Sequence, residues 1–207
     1  TEQKPEYELI DSHKLNYHIG RVNDWLNGRI VYPIYAEIAP SGECNQRCTY
    51  CALDFMGYRP RFLDTKIVKA RISEMAQLGV KSIMFAGEGE PLLHKDIGDI
   101  IRHTKKAGID IAITTNGTLL ENKLVDRIMR SVTWMKVSIN AGTRKLYAKI
   151  HRSGEGDFDR VIYNMKYAAK ARKAAGYKCA LGMQMVLLPE NFKEVITLAK
   201  IAKKIGM

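Results

Sequence analysis

Cys44, Cys48 and Cys51 share one short segment, Cys44-Asn45-Gln46-Arg47-Cys48-Thr49-Tyr50-Cys51, in the pattern C-x3-C-x2-C. Three thiolates on one loop can hold three corners of a cube of iron and sulfur, and such cubes usually take four cysteines. The fourth cysteine, Cys179, opens an apolar strand-like run, Cys179–Leu188, at the edge opposite the loop, and reads as a core cysteine. One iron then lacks a protein ligand and stays open to a substrate or cofactor. A structural zinc site would want a fourth ligand, usually from a second cysteine pair, which does not exist here, and His94 lies in another loop. Unliganded core thiols fit poorly with Gly42 and Glu43 before the segment and Arg47 inside it. A secreted disulfide framework would spread its cysteines to close long loops.

The elements that position this loop follow from periodicity. From Ile34 onward strand-like and helix-like segments alternate. Strands are expected at Ile34–Ala39, Ser82–Ala86, Asp110–Thr114, Trp134–Ile139 and Cys179–Leu188. Helices are expected at Thr65–Leu78, Lys95–Ala107, Glu121–Arg130, Phe158–Ala175 and Phe192–Lys204, with a short piece near Arg144–Ile150. Asp64 reads as a helix cap, and Gly79, Gly108 and Gly176 as stops. Alternation of this kind predicts an α/β fold with a parallel sheet. Residues up to about Gly28 read as a helical extension with Leu15, Ile19, Val22 and Leu26 on its apolar face. Every strand runs into a polar or glycine-bearing segment: the cysteines, Gly87–Pro91, Thr114–Gly117, Ser138–Gly142 and Pro189–Asn191. In parallel α/β folds that edge is where sites are built.

These motifs, in this order, resemble those of the radical S-adenosylmethionine (radical SAM) superfamily. The cysteine spacing matches, as does the aromatic Tyr50 before the last cysteine. Gly87-Glu88-Gly89-Glu90-Pro91 resembles that family's Gly-Gly-Glu-Pro segment, with Glu88 inserted between the glycines. Thr115-Asn116-Gly117 resembles its Thr-Asn-Gly, and Ser138 and Asn140 its polar fourth-strand end. The resemblance implies a [4Fe–4S] cluster on Cys44, Cys48 and Cys51, with S-adenosylmethionine on the open iron. It implies amine acceptors in Glu90 and the Gly87–Gly89 backbone, and Tyr50 bordering the adenine. Ser138 and Asn140 would bond the ribose or carboxylate, and Arg152 the carboxylate. Asn116 would join the cofactor-binding set, and Leu187 would pack on the adenine. It further implies reductive cleavage to a 5′-deoxyadenosyl radical, an electron donor such as flavodoxin or ferredoxin, and a small-molecule, sugar, nucleotide or peptide substrate. An RNA-modifying enzyme of the same family is the second expectation. A structural zinc or electron-transfer module is the non-enzymatic one.

The implied architecture is a partial (β/α) barrel: residues 1–33 form the N-terminal helical extension and 34–207 the radical SAM core. Five strand–helix units are visible where the family usually has six, so a sixth strand, and with it a C-terminal part, is expected outside this chain or from a partner. The alternative is a short form whose edge is covered by the extension or another subunit. Of the 207 residues 46% are hydrophobic, enough for a core. No apolar run approaches the roughly 20 residues of a membrane span. Thr1–Tyr7 lacks the apolar centre of a signal peptide, so a cytoplasmic location is expected. The formal charge of +11 allows a nucleic-acid partner. No aromatic-basic interleaving favours one, and lysines such as Lys66, Lys105 and Lys203 read as solvated helix faces.

Overall fold

The computed structural model describes residues 14–57 and 60–207. The chain divides into two units, Thr1–Pro33 and Ile34–Met207. In the first, a 3-10 turn (Lys14–His18) leads into helix α1 (Ile19–Leu26). The expected apolar face of α1 is not a core face, since no residue of the helix is buried. The polar segment Thr1–Tyr7 lies outside the described residues.

The second unit runs β1 (Tyr35–Ile38), α2 (Ala52–Met56), α3 (Thr65–Gln77), β2 (Ser82–Phe85), α4 (Ile97–Lys106), β3 (Asp110–Thr115), α5 (Asn122–Ile128), β4 (Trp134–Ser138), α6 (Arg144–His151), α7 (Glu155–Ala175), β5 (Ala180–Gln184) and α8 (Val195–Ile205). The five strands form one sheet in sequential order, and every neighbouring pair is parallel. Each crossover therefore returns the chain to the same sheet edge and leaves all strand C-termini together, as in a partial (β/α) barrel. β1 and β5 are the edges of this sheet.

Side chains alternate across each strand. Ile83, Phe85, Ile111, Ile113, Met135 and Val137 face the core shared with helix residues such as Ile72, Ile100, Val125 and Val161. Complete burial of one such side chain stabilises by about 1.5–3 kcal/mol. Asp64 caps α3 by accepting from the amides of Lys66 and Ile67 at 2.9 and 3.0 Å. Gly79, Gly108 and Gly176 stop their helices with φ of +88°, +84° and +64°.

Several boundaries differ from expectation, each for a local reason. α4 begins at Ile97 because Pro91–Leu93 forms a separate 3-10 turn. α7 begins at Glu155, its first turn carrying Glu155 and Asp157 where a helix N-terminus favours acids. α2, directly after Cys51, was not expected from periodicity. β5 ends at Gln184, and Leu187, expected in a strand, is 66% exposed. The Asn140 and Asn191 side chains bond the backbone from Val186 to Leu188 and turn the chain out of the sheet.

Candidate active site at the strand C-termini

All three clustered cysteines are free thiols of intermediate burial. They line one cleft of about 210 Å³ with Gln46, Tyr50 and Leu53, faced by Gly87–Glu90, Thr114–Asn116, Ser138 and His151. The loops after β1, β2 and β3, the end of β4 and the last turn of α6 thus converge.

The cysteine loop is fastened by backbone bonds at both ends. The Glu90 amide donates to the Glu43 carbonyl at 2.8 Å. The amides of Arg47 and Thr49 donate to the carbonyls of His151 and Ile150, at 3.2 and 2.8 Å. Carbonyls at a helix C-terminus have no partner within the helix, so α6 offers ready acceptors to this loop. Asn45 ties the loop to the segment after β3, accepting from Asn116 Nδ2 at 2.7 Å and donating to Thr118 Oγ1 at 2.8 Å.

The glycines after β2 have a packing reason. A Cβ at Gly89 would stand 2.2 Å from the Glu43 carbonyl oxygen, and one at Gly87 would stand 2.6 Å from Ala39 Cβ. The segment can press against the cysteine loop only because both positions lack side chains. Inserted Glu88 borders the cleft and pairs with Arg61, and both side chains are about half-exposed or more.

Glu90 is 2% exposed. Its Oε1 accepts from the Leu92 amide at 3.1 Å and Thr115 Oγ1 at 2.5 Å, and Oε2 accepts from the Asn116 amide at 2.7 Å. Burial raises its pKa, and these donors oppose the rise. A carboxylate has about four acceptor positions, so Oε2, with one donor, retains acceptor capacity.

Behind the thiols lies a buried polar cluster. His151 Nδ1 is 2.8 Å from Gln46 Oε1 and 3.2 Å from Cys48 Sγ, while Nε2 donates to the Ile139 carbonyl at 3.0 Å. The ring stacks on Tyr147 at 4.1 Å, and Tyr147 Oη accepts from Gln46 Nε2 at 2.9 Å. Burial lowers the His151 pKa to about 4 and raises that of Cys48 to about 12. Burial likewise raises Cys44 and, with the neighbouring thiols, Tyr50. In the metal-free protein Cys44 and Cys48 are therefore neutral, and ligation has to release their protons.

Of the residues singled out by sequence, Cys44, Cys48, Cys51, Tyr50, Gly87, Gly89, Glu90, Asn116 and Ser138 meet in the cleft. Asn140, Arg152 and Leu187 do not line it. Asn140 is fully buried with φ +53°, donates to Tyr50 Oη, and accepts from the Val186 amide at 2.7 Å and, through its carbonyl, from Asn191 at 2.8 Å. It holds the wall from behind. Arg152, φ +49°, pairs with Asp54 of α2 at 2.9 Å and is half-exposed. Cys179 is 3% exposed in the core, where burial lifts its pKa to about 11. Gln46 and His151 were not foreseen. The one available signal was a histidine at i+4 from Tyr147 on an amphipathic helix.

The donor set suits an iron–sulfur cube: three soft thiols on one cleft wall, with no disulfide between them. Among the described residues no three His, Cys, Asp or Glu side chains converge as ligands of one ion. A cube asks for no such convergence, since each thiolate meets a different iron. No helix among the described residues is long and apolar enough to cross a membrane.

Comparison with known proteins agrees with the geometry. The model of the Radical SAM superfamily matches residues 38–202. A probable GTP 3′,8-cyclase of Methanocaldococcus jannaschii is 32% identical over 174 residues, 82% of this chain and 55% of that protein. The GTP 3′,8-cyclase of Chlorobaculum tepidum is 36% identical over 120 residues, 57% of this chain and 36% of that protein. The chain thus spans about a third to about half of the length of these relatives. Among solved structures, Streptococcus suis SuiB bound to precursor peptide SuiA has a TM-score of 0.72 at 21% identity, covering 99% of this chain and 45% of that one. That likeness shows the shared fold. The match across residues 38–202 and the cleft described above lead to one family: this chain belongs to the radical SAM superfamily, whose cofactors are a [4Fe–4S] cluster and S-adenosylmethionine.

Proposed function

We propose that the cleft binds both cofactors and that the protein is a radical SAM enzyme acting on a small molecule, with a purine nucleotide such as GTP as the first candidate. The observation that carries the cofactor reading is the convergence of Cys44, Cys48 and Cys51 with Gly87–Glu90, Thr114–Asn116 and Ser138 on one cleft. In this reading the three cysteines hold three irons and leave the fourth open. Bound there, the two cofactors would supply one-electron reductive cleavage of S-adenosylmethionine and, through it, hydrogen-atom abstraction from the substrate.

The protein's own groups bind and orient. Glu90 Oε2 and the backbone carbonyls of Gly87–Gly89 accept from the methionine amine. Ser138 and Asn116 offer hydroxyl and amide groups to the ribose and carboxylate. Tyr50 borders the adenine, and Asn140 fixes Tyr50 through its hydroxyl. Arg152 and Leu187 lie outside the cleft wall and could act only through chain movement. The nucleotide candidate rests on the cyclase relatives at 32% and 36% identity and on the formal charge of +11. The electron donor in this reading is a flavodoxin or ferredoxin.

The test is anaerobic reconstitution with iron and sulfide, reduction, and addition of S-adenosylmethionine. 5′-Deoxyadenosine is expected, and more of it in the presence of GTP. An intact cluster that yields none would overturn the enzymatic reading, and a colourless zinc protein would support a structural module instead.

A further inference from the structure

The strand residues that do not face the helix-packed core define a second surface of the sheet. On β4 these are Trp134, Lys136 and Ser138, since Met135 and Val137 point into the core. Ser138 lines the cleft, and Lys136 lies two residues back along the same strand, about 6–7 Å away on the same face. Its register partners are Thr114 on β3, which also lines the cleft, and Gly182 on β5. A Cβ at Gly182 would meet nothing closer than the Met135 carbonyl at 3.9 Å, so space beside the lysine is open.

Lys136 is partly buried, with its ammonium 5.9 Å from the centroid of the Trp134 ring. It has no ion pair or hydrogen bond with any described residue. Two polar residues of the segment after β2 already have partners. Glu88 pairs with Arg61, and buried His94 bonds the Leu63 carbonyl and the Asp96 amide. A partly desolvated ammonium held on an aromatic ring is completed by an anion, because charge-assisted hydrogen bonds strengthen as water is excluded.

We propose that Lys136 anchors an anionic group of the substrate, a carboxylate or phosphate, on the sheet face beside the cleft. The substrate's remaining atoms would extend from that anchor past Thr114 and Ser138 toward the cofactors. The proposal rests on the cofactor reading of the cleft for its reaction, and on Lys136, Thr114 and Gly182 for its binding chemistry.

The ring beneath the ammonium provides the readout. Trp25 and Trp134 are the tryptophans of the chain. In a Trp25→Phe background Trp134 alone reports. The full chain is titrated at low salt with inorganic phosphate, acetate, GTP and guanosine. A saturable change in Trp134 fluorescence is expected with at least one of the anions and not with guanosine. Phosphate and acetate distinguish the two anion classes. Lys136→Met should weaken the response at least about tenfold, the scale of one lost charge-assisted hydrogen bond, and Lys136→Arg should retain most of it. Equal responses in wild type and Lys136→Met, or no anion-dependent change in the wild type, would overturn the proposal. Because these titrations need no cluster, they fail or succeed independently of 5′-deoxyadenosine formation, which tests the cleft reading.

Discussion

At the C-terminal ends of the strands, Cys48 stands 3.2 Å from His151 Nδ1, with the Tyr50 hydroxyl also within reach, on the wall of a cleft. Before the first residue of β5, at the opposite edge, Cys179 stands 3% exposed in the core, its thiol bonded only weakly, to the Ala180 carbonyl at 3.7 Å. Burial makes both thiols poor acids, at about 12 and about 11. Acidity therefore does not distinguish a ligand from a packing residue here. Access and neighbours do. Cys48 shares a concave wall with two more thiols, and its loop is held by Glu43, Asn45, Gln46 and the carbonyls of α6. Cys179 has a hydrophobic shell and no second thiol.

The comparison breaks most easily at the cysteines. Cys48→Ala should abolish cluster loading and all 5′-deoxyadenosine formation, read as iron and sulfide content after reconstitution, because one corner of the cube loses its ligand. Equal iron content in this variant and the wild type would contradict the assignment.

Glycines test the same contrast at the backbone. Gly89→Ala places a methyl 2.2 Å from the Glu43 carbonyl oxygen, so it should destabilise by more than about 3 kcal/mol or force the cysteine loop away. Gly176→Ala, at φ +64° with nothing within 4 Å, should cost only about 1 kcal/mol, the strain of a left-handed alanine. Denaturant unfolding of both variants measures the difference.

His151 sharpens the contrast through pH. Its folded pKa of about 4 lies below the ordinary 6.5. Between those values the unfolded chain binds the proton and the folded chain does not. The stability from neutral, buried His151 is thus fully present above pH 6.5 and is lost as pH falls toward 4, up to about 3 kcal/mol. Metal-free wild type should show this loss, and His151→Gln should show a flatter profile. Parallel profiles for the two proteins would mean that the ring is solvated.

Much of this arrangement was legible from spacing. The strand–helix alternation, the Asp64 cap and the glycine stops are local, and the structure has them within a few residues. The cysteines, Gly87–Pro91 and Thr115–Gly117 are contiguous motifs. The supports behind them are not local. Gln46 meets Tyr147 and His151 across more than a hundred residues, and Asn140 meets Asn191 across about fifty. Neither link leaves a pattern in a window of ten or twenty residues. Leu187 shows the same limit. Alternation continues through Met183 and Met185, yet two buried asparagines redirect the chain before it.

The smallest expected effect belongs to Cys179, and it is the most telling. Cys179→Ala should cost about 1 kcal/mol of packing and leave iron content unchanged. Electron paramagnetic resonance of reduced, reconstituted Cys179→Ala and wild type, each with and without S-adenosylmethionine, tests three-cysteine ligation with an open iron most directly. The account predicts the same cluster signal in both proteins and the same change in that signal when S-adenosylmethionine is added. Loss of the signal in Cys179→Ala, or a wild-type signal indifferent to S-adenosylmethionine, would contradict it.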